Sequence, residues 1–253
     1  MPALPAFTPL EWLLLAVAAL AVGASKSGMP AFGPIPAALF ATVLPAKAST
    51  GAVLGLLLVG DLIAVRMYHA HADWTILRRL IPSVVVGVLL GVVVLWYADD
   101  AAVRRIIGAT LVLLVVVRVT FLLRERRSAT EPRPVPTGLA YVFGPLGGFT
   151  TMIANAAGPV MTLYFVASRL PVQAILGTAA WFFLLVNAFK VPFSIGLGLM
   201  TWQSLLLNLV LVPALILGAL GGRAVARRIS PVWFERIVLV LTLSSGIFLL
   251  VRA

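Results

Sequence analysis

The sequence predicts an all-α polytopic membrane protein built from two repeats, each a broken segment followed by three transmembrane helices. Three observations carry this. Of 253 residues, 62% are hydrophobic and only 11% are charged, against roughly 25% charged in soluble domains. Several apolar runs approach the roughly 20 residues that cross about 30 Å of hydrocarbon as helix, and none alternates as a barrel strand does. A polar stretch rich in glycine and proline interrupts the apolar sequence near the start of each half. On this reading residues 1–123 form the first membrane repeat, 124–136 a linker and 137–253 the second repeat.

Taken in order, apolar runs at 10–22 and 35–44 flank Gly23-Ala-Ser-Lys-Ser-Gly-Met-Pro-Ala-Phe-Gly-Pro34. Glycine and proline break the helix there. The run lacks the basic region of a signal peptide, although Ala21-Val-Gly-Ala24 faintly resembles a cleavage site. A similar segment recurs mid-chain, so the run reads as part of the fold. Pro45 to Ser49 reads as a short loop, followed by a helix from about Ala48 to Tyr68 that carries Asp61 deep in its apolar sequence. Residues 69–74 read as an interfacial loop ending in Trp74, a residue suited to the aromatic belt. Spans follow at about 75–97 and 102–123. The charged, proline-rich stretch 124–136 separates the halves. A second broken segment at about 137–169 contains Gly147-Gly-Phe-Thr-Thr-Met-Ile-Ala-Asn-Ala-Ala-Gly-Pro159, and spans follow at 172–196, 202–224 and 231–251.

The halves align with each other. Leu44-Pro-Ala-Lys-Ala-Ser-Thr-Gly51 matches Leu170-Pro-Val-Gln-Ala-Ile-Leu-Gly177 at an offset of 126, which sets Asp61 against Asn187. Pro82, Gly87 and Gly91 match Pro213, Gly218 and Gly222 at an offset of 131. Aligned on Gly33-Pro34 and Gly158-Pro159, Ser25 falls on Thr150 and Lys26 on Thr151.

Charge orients the repeats. If each broken segment crosses once, the basic residues outside the apolar runs divide evenly between the two sides. If each enters and returns on one side, twelve (Arg66, Arg78, Arg79, Arg124, Arg126, Arg127, Arg133, Arg169, Arg223, Arg227, Arg228 and Arg236) face four (Lys47, Arg104, Arg105 and Arg252). The second arrangement obeys the positive-inside rule and makes the repeats inverted, with the linker cytoplasmic and both termini outside.

The formal charge of +11 does not point to nucleic acid. The basic residues cluster at the ends of apolar runs, where they orient helices and meet anionic membrane lipid. Absence of cysteine excludes disulfides, thiolate metal sites and cysteine nucleophiles. His69-Ala-His71 is too short a pattern to hold a metal, and no HExxH, P-loop or GxSxG occurs. An intramembrane enzyme needs a second buried carboxylate or an activated nucleophile. The sequence offers neither, and nothing in it calls for a cofactor or metal.

The residues left to carry chemistry sit at the breaks. Lys26, with Ser25, Ser27 and Gly28, lies where hydropathy places the chain inside the membrane. A broken helix frees N–H groups, glycine lets backbone approach a ligand, and hydroxyls add donors; together these describe a small-anion site. The plainer reading is a lysine snorkelling to the interface. Thr150, Thr151 and Asn155 supply neutral donors in the second half, or bond across packed helices. Asp61 is the only acid deep in a span. It pairs with Lys26 or Lys190, acts as a proton-coupling carboxylate, or fixes helices in register. Asn187 and Lys190, three apart, share a helix face just before Val191-Pro192. Cavity lining and helix-end packing both stay open for them.

The Gly-Ala-Ser-Lys-Ser-Gly-Met-Pro segment, the Leu-Pro-x-x-Ala-x-x-Gly step and the repeated half resemble the TauE/SafE family, membrane proteins associated with export of sulfite, sulfoacetate and other organosulfur anions. The resemblance runs from about residue 10 to 250, with Ser25-Lys26-Ser27 standing where the family's opening is glycine-rich. It implies a secondary transporter of small anions in the bacterial cytoplasmic membrane, and not an enzyme. Residues and resemblance converge on alternating access around a midplane site, with Lys26 and Lys190 as anion partners and Asp61 as proton-coupling or counter-charge. An anion channel, a permease for another small carboxylate or oxyanion, and a membrane enzyme or assembly subunit are the other classes.

Overall fold

The computed structural model describes residues 6–27, 33–125, 138, 140–168, 170–226 and 231–252. Among them the chain is all-helical. In order come α1 (Pro9–Lys26), α2 (Pro34–Val43), α3 (Ala46–Ala52), α4 (Leu54–Tyr68), α5 (Trp74–Tyr97), α6 (Asp100–Glu125), α7 (Ala140–Ala154), α8 (Ala157–Ala167), α9 (Val172–Gly196), α10 (Trp202–Ala226) and α11 (Pro231–Val251). His69–His71 make one 3-10 turn between α4 and α5. Five stretches of the described residues are long and apolar enough to cross a membrane: α1, α3 and α4 together with the 3-10 turn, α5, α9 and most of α10. The outward faces agree with this, for Val86, Leu89, Leu90, Val93 and Trp96 of α5 are exposed at helical spacing.

Local chemistry sets several boundaries. Thr8 and Glu11 form a capping box at the start of α1, Thr8 N–H donating to Glu11 Oε2 at 2.8 Å and Glu11 N–H to Thr8 Oγ1 at 3.3 Å. Asp73 Oδ1 accepts from the N–H groups of Thr75 and Ile76 and so caps α5. Two expectations need correcting. Pro45 takes the N-cap position of α3, so the helix begins at Ala46 and the loop expected over Pro45 to Ser49 shrinks to Leu44 and Pro45. The expected single helix from about Ala48 is two, α3 and α4, meeting at Val53. Gly51 lies there against the Leu199 backbone, where no side chain fits. The expected linker, from residue 126 onward, lies outside the described residues, as does Gly28.

Packing is reciprocal between the halves. α1 lies along α10 and α7 lies along α5. A Cβ at Gly218 would overlap the Leu20 carbonyl, and one at Gly87 would overlap that of Pro145. Likewise Gly23 abuts Leu215 and Gly148 abuts Val84. Each contact maps onto its partner at the offsets of 125 and 131 read from the sequence. Close approach of backbones is what membrane helices use in place of a hydrophobic driving force. At one end, Lys47 N–H donates to Asp100 Oδ1 at 2.9 Å and its ammonium to the Ala98 carbonyl at 3.0 Å, tying the start of α3 to the α5–α6 turn. Elsewhere, Asp73 N–H donates to Thr178 Oγ1 at 2.9 Å, tying the start of α5 to the first turns of α9. α4 and α9 also pack together, and they bring the polar residues of both halves into contact.

Candidate functional site

Asp61 is fully buried on α4, and its carboxylate holds two partners from other helices. Lys26 Nζ, at the last turn of α1, lies 2.6 Å from Oδ1. Asn187 Nδ2, on α9, donates to Oδ2 at 2.7 Å. Asp61 and Asn187 are the positions that the sequence duplication sets against each other, and here they touch. Beyond Asn187 the chain of polar groups continues to Lys190, whose ammonium donates to Asn187 Oδ1 at 3.3 Å, Asn155 Oδ1 at 2.6 Å and the Thr151 carbonyl at 2.7 Å. One continuous path therefore runs Lys26–Asp61–Asn187–Lys190–Thr151/Asn155 and joins both breaks.

The second break is built around Asn155. It takes φ +50° between α7 and α8, a left-handed conformation that asparagine tolerates better than most residues. That turn aims its amide across the molecule, where Nδ2 donates to the Thr50 carbonyl at 2.8 Å while Oδ1 receives Lys190. Of the orphan donors expected at the breaks, fewer exist than a broken helix ordinarily offers. α2 opens with Pro34-Ile-Pro36, and proline has no N–H to give.

A cavity of about 110 Å³ opens beside this path. Ser25, Lys26, Thr151, Asn155 and Asn187 are among its polar lining, with Gly33 and Gly158 from the two breaks. Leu57, Ala64 and Tyr68 of α4, Met161, Thr162 and Phe165 of α8, and Ile175, Leu176, Ala179, Ala180 and Phe183 of α9 make the rest. With both lysines protonated and Asp61 ionised, the path carries a formal charge of +1. Among the described residues no second buried carboxylate balances it.

A family model described as Sulfite exporter TauE/SafE matches residues 12–249, nearly the whole chain. The chain belongs to that family. No curated protein and no solved structure matches it. Helices and family together make this an integral membrane transport protein.

Within this TauE/SafE chain the expected site residues divide into three groups. Ser25, Lys26, Thr151, Asn155 and Asn187 line the cavity. Lys190 and Asp61 do not; both are buried one layer behind its wall. Ser27 is buried and its hydroxyl donates to the Ala24 carbonyl at 3.1 Å, while Thr150 donates to the Leu146 carbonyl at 2.8 Å. Those two hydroxyls serve their own helices in this conformation, as does that of Ser25, which donates to the Val22 carbonyl at 2.8 Å.

Two further residues escaped the sequence reading. Phe183 lies with its ring 4.2 Å from Lys26 Nζ, a cation–π contact on the cavity side of the ammonium. Tyr68 lines the cavity and donates its hydroxyl to the Ser27 carbonyl at 3.2 Å. The signal for Phe183 was its place one turn before Asn187 on the same face of α9.

Proposed function

We propose that this TauE/SafE chain is a secondary transporter that moves small anions, sulfite and organosulfonates among them, out of the cell by alternating access between two inverted halves. The observation that carries the reading is the Lys26 ammonium at the wall of a cavity lined by both breaks, at one end of a polar path that runs on to Lys190. Lys26 reaches that cavity with 12% of its side chain exposed, while its carboxylate partner Asp61 is buried behind it. A buried charge without full compensation is costly, and an anion arriving in the cavity supplies the missing counter-charge. Inversion is supported by the anchoring of Lys47 at the α5–α6 turn and by the reciprocal glycine contacts, together with the twelve-to-four division of basic residues.

Asp61 would be the coupling group. Asp61 and a substrate oxygen compete for the same ammonium, so a proton on Asp61 releases Lys26 to the anion. Sulfite and sulfonate flux in liposomes containing the purified protein, with and without a pH gradient, tests the whole reading. Saturable flux that responds to the gradient is expected; absence of flux for every anion would remove it.

A further inference from the structure

α3 has seven residues, and its N-cap, Pro45, supplies no side-chain hydrogen bond. The cap comes instead from another helix. Asp100, at the start of α6, accepts from the Lys47 N–H through Oδ1 at 2.9 Å and holds Arg104 through Oδ2 at 3.0 Å. The Lys47 ammonium completes the cluster by donating to the Ala98 carbonyl at 3.0 Å. None of these side chains lines the cavity. They fasten the start of the helix that carries Ser49 and Thr50, both buried. The duplication separates contacts that survive an exchange of the halves from contacts that cannot. Gly51 abuts Leu199, between α9 and α10, and its counterpart Gly177 abuts the backbone of Tyr68, His71 and Ala72, where α4 passes into α5. That contact exists at both ends, so exchange leaves it whole. The Lys47–Asp100–Arg104 cluster has no such double. At the offsets of 126 and 131 its members fall on Gln173, Pro231 and Glu235, which offer neither the ammonium nor the carboxylate.

We infer that Lys47, Asp100 and Arg104 form a one-sided latch on α3, which keeps the end around Ser49 and Thr50 shut and makes the present conformation the resting state of the transport cycle. Opening that end carries α3 off the α5–α6 turn and breaks the bonds between Lys47 and Asp100. No equivalent bond forms at the other end, so the two states differ in free energy by what the latch contributes. A hydrogen bond to a charged group at a partly exposed site shifts such a balance by about tenfold. The latch rests on the exchange of halves proposed above, and it adds which of the two states is favoured without substrate.

The test uses single cysteines, Ser49→Cys on α3 and Ser194→Cys on α9, in a chain that has no other cysteine. Each is labelled in liposomes by a membrane-impermeant maleimide, without substrate, with Asp100 present and with Asp100→Ala. Both positions are buried here, so each labelling rate follows the population of the opposite-facing state. Asp100→Ala should accelerate both by about tenfold, and by the same factor. Lys47→Gln, which installs the second half's own residue, removes only the ammonium and should move both rates the same way by less; it carries the test where Asp100→Ala gives no folded protein. Acceleration at Ser49→Cys alone would mean that α3 frays locally, and would overturn the latch. So would rates that rise during sulfite turnover yet are equal with and without Asp100, an outcome that leaves exchange of the halves standing. Absence of labelling at both positions in every variant, sulfite turnover included, would strike the exchange itself and the latch with it.

Discussion

At the scale of residues the proposed site is an ion pair that an arriving anion would divide. Lys26 and Asp61 meet at 2.6 Å with Asp61 fully buried. Removing one member of such a pair leaves an uncompensated buried charge and costs about 3–5 kcal/mol, whereas replacing both by apolar groups of similar size is often neutral. Lys26→Met alone should therefore lower stability by that amount and abolish flux. Lys26→Met with Asp61→Leu should restore most of the stability and still not transport. Unfolding in detergent read beside flux separates the two roles, and transport by the double variant would show that Lys26 does not hold the anion. The same competition fixes a sign for pH. On the proposed coupling, a proton on Asp61 and an anion on Lys26 favour each other, and the linkage is reciprocal. Apparent anion affinity should rise as pH falls, and a proton gradient directed with the anion should accelerate flux. Asp61→Asn should remove that dependence, as equilibrium binding across a pH series would register; a dependence that survives the substitution places the coupling proton elsewhere.

At the scale of elements, α1 on α10 and α7 on α5 hold the breaks in place through backbone contact at glycine. A methyl group at Gly218 meets the Leu20 carbonyl and must push the helices apart, while one at Gly221, a turn away, meets nothing within 4 Å. Gly218→Ala should destabilise the protein by about 1–3 kcal/mol, and Gly221→Ala should leave its thermal midpoint nearly unmoved. Equal midpoints for both variants would mean that the α1–α10 seam does not depend on close approach. These elements were largely legible in the sequence, because a membrane forces backbone polar groups into helices and so makes apolar length a direct reading of structure. The span over 172–196 falls where hydropathy put it, and Asp61 faces Asn187, the position the sequence alignment of the halves sets against it. The division of α3 from α4 at Val53 was not legible. It accompanies the contact of Gly51 with Leu199, which lies in the other half of the chain. Nor could spacing decide which lysine pairs with Asp61. Helical periodicity relates Asn187 to Lys190 within α9, but Lys26 arrives from a different helix, and only the packing of α1 beside α4 brings it there.

At the scale of the whole molecule, the duplication makes the other half of a transport cycle readable from this one. The cavity lies toward the end where α4 finishes and α9 begins, reached by Ala64, Tyr68, Ile175, Leu176 and Ala179. At the offset of 126 their counterparts are Lys190, Ser194, Ser49, Thr50 and Val53. All five counterparts are buried, none more than 4% exposed. If the two halves exchange conformations, as inverted repeats do in alternating access, the present cavity closes and these five positions become the walls of its opposite-facing successor. Lys26 would then withdraw and Lys190 would take its place beside the anion, which gives each half one ammonium to present. The chain has no cysteine of its own, so single cysteines report on this without background. A cysteine at Leu176 should react with a membrane-impermeant thiol reagent from one side only. Cysteines at Ser49 and Ser194 should react from the opposite side, slowly at rest and faster during turnover. Because protection depends on the population of each state, saturating anion on one side should shift the two sets in opposite directions. Labelling of Ser49 and Leu176 positions from the same side, or no labelling at Ser49 and Ser194 under turnover, would rule out exchange between the halves as the transport step.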